Sequence, residues 1–363
     1  MTGYKLYGSQ ASLFTGKARG YLRWKDVDFE EFAVNPNVMK QVILPNVGWP
    51  VVPVIETPDG RVVQDTADII DEVERAEGGI SVMPGGPLQQ FVTQLLHLFG
   101  DQWMVLPAMH YRWNYNEDWI YGEFGRSAAP DLPPEEQYRQ GKENGQKFRG
   151  FVPMLGITDA TIPGIEKSYE AFLADFSAHL EQHAYVFGAR PSLADYALLG
   201  PLYAHLYRDP ASGEIMKRLA PKVADWTERT IAGEKSDGEL VGGDVIPETL
   251  LPIMARHLDE HLPMLEATND ALGTWAKGTK IGDEVPRGLG MASFSVGGCN
   301  GEGMMRSFDL FRLQAALDIL DIMGAADRAE AEKLLTDIGA GSLASLKLAA
   351  RLERKNCRVV LAG

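Results

Sequence analysis

The first eighty residues alternate between strand-like and helix-like patterning in one fixed order, and that order leaves few folds open. Residues 4–7 alternate as a first strand, which Gly8 and Ser9 break. Residues 12–24 are helix-compatible, with Leu13, Phe14, Ala18, Tyr21 and Leu22 falling roughly on one face. Residues 28–34 read as a second strand carrying Phe29 and Phe32. Asn35-Pro36 ends it, and residues 36–44 suit a short helix before a Pro/Gly-rich stretch. Residues 51–57 are β-branched and apolar, Pro58-Asp59-Gly60 is a turn, and residues 61–64 return as the second arm of a hairpin. Asp65-Thr66 then opens a helix carrying Ile69, Ile70 and Val73, which Gly78-Gly79 stops.

This β-α-β-α-β-β-α order is that of a thioredoxin-like domain, expected over residues 1–80. From Pro87 strand patterns fade, and residues 86–232 read as an all-helical domain. Residues 168–183, 191–207 and 219–230 are its clearest helices, whereas residues 114–160, aromatic, Pro-containing and charged, read as a long excursion between helices. Residues 234–246 are rich in Gly, Asp and Glu and suit a linker. The remainder, residues 233–363, reads as a mainly helical extension. It has a helix over 247–275, a Gly-rich loop over 286–303 and one or two helices over 307–354. The fold class expected is therefore α+β followed by α.

A net charge of −15 argues against a nucleic-acid or anionic-membrane partner, because both need clustered Lys and Arg. Cys299 and Cys357 are far apart and in no metal spacing, which suits a reducing compartment. The N-terminus carries no basic-then-apolar leader, and no apolar run approaches the roughly 18 residues of a membrane helix. A soluble, cytoplasmic protein without a metal is expected.

Three segments carry chemistry. A proline at the entry of a strand, Pro53 after Val52, cannot donate to the ladder and favours a cis bond. A cis bond there turns the neighbouring N–H and C=O toward an extended peptide; a plain strand-start proline is the bland alternative. Asp65 with Thr66 offers side-chain oxygens and free N–H groups to a carboxylate, and an acid to an ammonium, although an ordinary N-cap explains the pair equally. At the start of the first helix, a hydroxyl from Ser9, Ser12 or Thr15 could hydrogen-bond a thiolate that the helix dipole also favours, with a plain N-cap serine as the bland alternative. Lowering a thiol pKa makes the nucleophile available near neutral pH.

In order and spacing these segments resemble the cytosolic glutathione transferase superfamily. Ser12-Leu13-Phe14-Thr15-Gly16-Lys17-Ala18-Arg19 is similar to its first-helix segment, Val52-Pro53-Val54-Ile55 to its cis-proline strand, and Asp65-Thr66-Ala67-Asp68-Ile69 to the segment that holds the γ-glutamyl end of glutathione. Gly188-Ala189-Arg190-Pro191-Ser192-Leu193-Ala194-Asp195-Tyr196 resembles the buried capping motif of the helical domain, and residues 219–226 resemble the helix after it. The resemblance covers roughly residues 1–232 and leaves the extension unrecognised.

The resemblance implies glutathione as co-substrate and a small hydrophobic electrophile as partner. It also implies a homodimer. Ser12 would be the thiolate-stabilising catalytic hydroxyl, with Ser9 its competitor and Thr15 a distant third. In the glutathione-binding set Val52 would be the backbone partner of the cysteinyl part, with Pro53 beside it in a structural role, and Asp65 and Thr66 would clamp the γ-glutamyl end; Ser192 and Asp195 would be structural. No Cys lies near the first helix, so the serine-type pattern of the zeta and theta branches and of bacterial etherases fits better than the cysteine-type branches. The family's Lys-containing approach to the cis-proline is missing at Gly48-Trp49-Pro50-Val51, leaving Lys40, Gln41 or Trp49 to meet the glycyl carboxylate. Trp103 and Tyr111, in an aromatic-rich stretch, are candidates for the second-substrate pocket, with core packing as the alternative. His257-Leu258-Asp259-Glu260-His261 has zinc-peptidase spacing but no third ligand, and reads as a solvated charged helix face. A glutathione transferase-like scaffold without turnover is the rival reading, and a reductase using Cys299 a third.

Overall fold

The computed structural model describes residues 3–363. In chain order its elements begin β1 (Tyr4–Gly8), α1 (Leu13–Lys25), β2 (Phe29–Ala33), α2 (Pro36–Val38), a π-helical turn (Met39–Ile43), α3 (Leu44–Val47), β3 (Val54–Glu56), β4 (Val62–Gln64) and α4 (Thr66–Glu77). Helices α5 (Pro87–Leu98), α6 (Val105–Tyr115), α7 (Glu117–Ala128), α8 (Pro134–Arg149), α9 (Ile162–Leu180), α10 (Leu193–Pro201), α11 (Pro210–Leu219) and α12 (Pro221–Ala232) follow. Two further π-helical turns lie at Phe99–Trp103 and Leu202–Tyr207. The remainder comprises α13 (Leu251–Ala276), β5 (Gly288–Val296), β6 (Cys299–Arg306), α14 (Ser307–Ile322), α15 (Ala325–Asp337), β7 (Leu352–Lys355) and β8 (Arg358–Leu361). The N-terminal domain is thioredoxin-like, the domain after it is helical, and the extension is mostly helical. Among the described residues no helix is long and apolar enough to cross a membrane.

The chain gathers into two compact units. The first takes residues 1–81, 108–152 and 198–237. Its sheet has the order β2-β1-β3-β4, with β1 parallel to β2 and the other pairs antiparallel. Leu6, Val54 and Ile55 from the sheet and Tyr21, Leu22, Ile69 and Val73 from α1 and α4 are fully buried, which is the amphipathic face read from the pattern. Helix α1 is tied to the end of α12, where Arg23 donates to the Ile231 carbonyl at 2.9 Å and the Trp24 indole to that of Ser236 at 3.1 Å. The interval read as an excursion is instead the helix pair α7 and α8. Gly125 and Gly141, loop signals in a sequence, let the two backbones touch: a Cβ on Gly141 would lie 1.9 Å from the Tyr121 carbonyl.

The second unit takes residues 82–107, 153–197 and 238–363. The expected linker is partly built into it, because Asp244 caps α5 through the N–H groups of Leu88 and Gln89 at 2.8 and 2.9 Å. The expected Gly-rich loop is the β5–β6 hairpin, whose turn Gly297-Gly298 has φ of +56° and +87°. The helix face read as solvated is buried. His257 and His261 are 1% and 0% exposed and sit 3.1 Å apart, with His261 3.4 Å from Asp309. Glu260 beside them accepts from the Trp103 indole, the Ser168 hydroxyl and the Gly297 N–H, each at 3.0 Å. Among the described residues no group of three or more His, Cys, Asp and Glu side chains is placed to hold a metal ion.

Candidate active site at one end of the four-stranded sheet

Strand register brings the sequence candidates of the N-terminal domain to one end of the sheet. Gly8, the last residue of β1, pairs with Ala33 at the end of β2, and Tyr7 pairs with Val54 at the start of β3. Val54 pairs in turn with Gln64 at the end of β4. The residues just beyond these positions, Ser9 to Ser12, Val52-Pro53 and Asp65-Thr66, therefore leave the sheet at the same edge.

Ser12 is the N-cap of α1: its Oγ accepts from the Thr15 N–H at 3.2 Å, and the Gly16 N–H bonds its carbonyl at 3.0 Å. Accepting this bond leaves the Ser12 O–H proton unspent among the described residues. Ser9 is folded back on the same turn. Its N–H donates to Thr15 Oγ1 at 3.3 Å, its Oγ accepts from the Ala11 N–H at 3.3 Å, and its carbonyl accepts from the Ser12 N–H at 3.1 Å. Thr15 is fully buried and packed so close that a Cβ on Gly8 would lie 2.2 Å from its methyl. Tyr7 also lies near the end of β1, but its hydroxyl donates to Glu56 at 3.0 Å.

The Val52–Pro53 peptide bond is cis. Among the described residues no hydrogen bond engages the N–H or C=O of Val52, so both are open to a ligand. Asp65 caps α4 by accepting from the Ala67 N–H at 3.0 Å, and holds φ at +82°, a strained backbone for a residue with a Cβ. Thr66 is 2% exposed and its Oγ1 has no partner among the described residues, an orphan polar atom at a helix N-terminus. Lys40 and Gln41 are exposed in the π-helical turn after α2, and Trp49 is half-buried just past α3.

Beside the β1–α1 loop lies a hollow of about 390 Å³, whose walls include Ser9, Gln10, Glu31, Glu123 and Arg126. Arg19, seven residues after Ser12, reaches Glu31 with two bonds of 2.6 Å. Burial alone would raise the Glu123 carboxyl, but Arg126 and Arg208 outweigh it and hold the group below its usual range. Arg208 also donates to the Gln10 carbonyl at 2.8 Å. Next to it Arg112, 3% exposed, makes a two-pronged pair with Asp209 at 2.7 and 2.8 Å and donates to the Ala11 carbonyl at 2.7 Å. These arginines were not among the sequence candidates. Tyr111 is 2% exposed and stacked against Tyr115; Trp103 belongs to the other compact unit, stacked on His261. Neither lines the hollow.

In the helical domain Asp195 reaches back to the Ser192 N–H at 2.8 Å and hydroxyl at 2.9 Å, and also takes the Val186 N–H at 2.9 Å. The carboxylate therefore supplies this helix start, and the Ser192 hydroxyl is spent on it.

Residues 6–81 match the glutathione S-transferase N-terminal domain model and residues 159–229 the corresponding C-terminal domain model. No curated protein matches the chain. Among solved structures, a glutathione S-transferase from Rhodospirillum rubrum is 17% identical, over 68% of this chain and 96% of its own, with a TM-score of 0.41. The β-etherase LigF from Sphingobium sp. strain SYK-6 is 20% identical, over 63% and 94%, with a TM-score of 0.42. A glutathione S-transferase from Methylobacterium radiotolerans, in complex with glutathione sulfonate, is 17% identical, over 67% and 99%, with a TM-score of 0.40. The two domain matches fall on the thioredoxin-like sheet and on the helices around Ser192 and Asp195: residues 6–81 and 159–229 carry the N- and C-terminal domains of the glutathione S-transferase superfamily.

Proposed function

We propose that the protein binds glutathione at the sheet end and transfers it to a small electrophile, or uses it to cleave or isomerise one. The observation that carries this reading is the unspent O–H of Ser12 at the N-terminus of α1, at the sheet end where Val52 presents its open backbone groups. A thiolate there accepts from Ser12 and sits in the positive end of the helix dipole, and both effects favour the anion over the thiol. The orphan hydroxyl of Thr66 and the first N–H groups of α4 suit the α-carboxylate of the γ-glutamyl end, and Asp65 suits its ammonium. In conjugation the sulfur forms a bond to an electrophilic carbon, and the leaving group departs with the electron pair. The protein contributes orientation and a lowered thiol pKa. Ser9 is the competing hydroxyl. Polar walls around Gln10, Glu31, Glu123 and Arg126 make the hollow a place for an electrophile with hydrogen-bonding groups as well as apolar surface. The family resemblance supports a homodimer, and two cysteines far apart in the chain suit a reducing compartment.

A second reading, a glutathione transferase-like scaffold without turnover, is favoured by residues 230–363, which neither domain model reaches. Calorimetric titration of glutathione into the full chain, beside Ser12→Ala, separates the two. Binding to both, with the bound thiol titrating higher in the variant, supports the enzyme. Absence of binding at millimolar glutathione sinks it. Size-exclusion chromatography with light scattering tests the dimer.

A further inference from the structure

An arginine carries five N–H donors in a rigid plane, and burying it is costly unless each finds an acceptor. Arg112 spends all five. Nε and one Nη2 proton go to Asp209 at 2.7 and 2.8 Å, the other Nη2 proton to the Ala204 carbonyl at 2.6 Å, and Nη1 serves His205 Nε2 and the Ala11 carbonyl, both at 2.7 Å. Four of these acceptors lie within residues 204–209, a segment entered by the π-helical turn Leu202–Tyr207. The fifth does not belong to that segment. It is the carbonyl immediately before Ser12.

The Ala11–Ser12 peptide is thereby held at both of its polar edges, with Arg112 on the carbonyl and the Ser9 carbonyl on the Ser12 N–H at 3.1 Å. The adjacent carbonyl, that of Gln10, is taken by Arg208, whose other contacts are Glu123 and the face of Trp119. Two consecutive carbonyls of the loop are gripped by guanidinium groups, one buried and one partly exposed. His205 keeps its acceptor role because burial, reinforced by Arg112, holds its imidazole well below the usual range and therefore neutral.

We propose that Arg112 is a positioning residue for the thiolate site: by holding the Ala11 carbonyl it orients the peptide that carries Ser12, and so sets how strongly the Ser12 hydroxyl stabilises the bound sulfur. This rests on the glutathione-binding reading above. Arg112 touches neither glutathione nor electrophile in this role; it acts through Ser12. A lysine keeps the charge but loses the planar fork and cannot serve Asp209, His205 and Ala11 together.

The test compares wild type, Ser12→Ala, Arg112→Lys and the double variant, all as full chains. Glutathione affinity is read by calorimetry, the bound thiol pKa by the ultraviolet absorbance of the thiolate, and folding by thermal unfolding. Arg112→Lys is expected to keep glutathione affinity within about threefold while raising the bound thiol pKa by about one unit. Thiolate-dependent turnover near neutral pH then falls about tenfold and recovers at higher pH. In the double variant the pKa rises no further than in Ser12→Ala, because both changes remove one interaction. A folded Arg112→Lys with the wild-type thiol pKa overturns the proposal, and so does a shift that adds to that of Ser12→Ala. Absence of glutathione binding to wild type instead overturns the functional reading, and this inference falls with it. Should Arg112→Lys fail to fold, Asp209→Asn, which keeps the side-chain volume and one acceptor oxygen, carries the same comparison with the same two outcomes.

Discussion

Two serines open helices in this protein, and their hydroxyl protons have opposite fates. Ser192, fully buried, gives its proton to Asp195, whose carboxylate also holds the N–H groups of Ser192 and Val186. Ser12, half-buried, only accepts, from the Thr15 N–H, and its proton goes to no protein group among the described residues. Both are small hydroxyl residues at a helix start, and a capping preference explains either one. The difference lies in the partner. Where a buried carboxylate three residues on closes the network, the serine is part of the fold; where nothing closes it, the serine has a donor left for a ligand.

Breaking the closed network has the largest expected effect. Asp195→Ala leaves three buried donors without an acceptor and should lower stability by about 3 kcal/mol or more, read from urea unfolding. A loss below about 1 kcal/mol would remove the contrast with Ser12. Acidification tests the two units next. Burial holds His179 down to about 4 and keeps His257 and His261 below the usual imidazole range, and all three lie in the unit that contains Ser192. His205, in the unit that contains Ser12, is held down by burial as well. Each takes up a proton more readily unfolded than folded. Stability is therefore whole above about pH 6.5 and falls as pH drops below it, by at most about 1.4 kcal/mol per pH unit for each histidine. Amide hydrogen exchange should show the helices that carry His179, His257 and His261 opening more readily at about pH 5.5 than at about pH 7.5.

The paired substitutions are smaller and sharper. Ser192→Ala should cost about 1–2 kcal/mol of stability and leave the bound thiol unchanged. Ser12→Ala should cost about 1 kcal/mol as a lost cap, yet lower turnover at neutral pH about 10- to 100-fold by raising the thiol pKa. Kinetics across pH on both variants, with their unfolding curves, checks the pair. Equal effects on turnover would erase the distinction between the two serines.

The features written locally in the chain were legible. The caps at Ser12 and Asp65, the proline after Val52 and the Ser192–Asp195 spacing each depend on residues within about four positions of one another. What escaped was set by distant partners. Arg112 sits among aromatic residues of α6 and looks like any long cation reaching for water, and its acceptors lie near residues 11 and 204–209. Asp209 before Pro210 reads as an ordinary helix cap, although it is fully buried against that arginine. Glycine hid contacts of two kinds: Gly125 and Gly141 close a helix pair inside the stretch read as an excursion, and Gly297-Gly298, inside the stretch read as a Gly-rich loop, turn a hairpin. The charged pattern of residues 257–261 concealed buried histidines, because i,i+4 spacing says which side chains share a face and not what covers it.

The smallest expected effect decides between the two hydroxyls of the loop. Ser9 Oγ accepts a single bond of 3.3 Å from Ala11 and lines the hollow, whereas Ser12 does not line it. If Ser12 holds the thiolate, Ser9→Ala should change stability by less than about 0.5 kcal/mol and leave the thiol pKa in place. KM for the electrophile would rise about two- to threefold, because the change removes one hydrogen-bonding group from the wall. If instead the bound thiol titrates higher in Ser9→Ala than in Ser12→Ala, the roles are exchanged. Ser12 would then be a helix cap like any other, and the open proton would no longer distinguish a site from a cap.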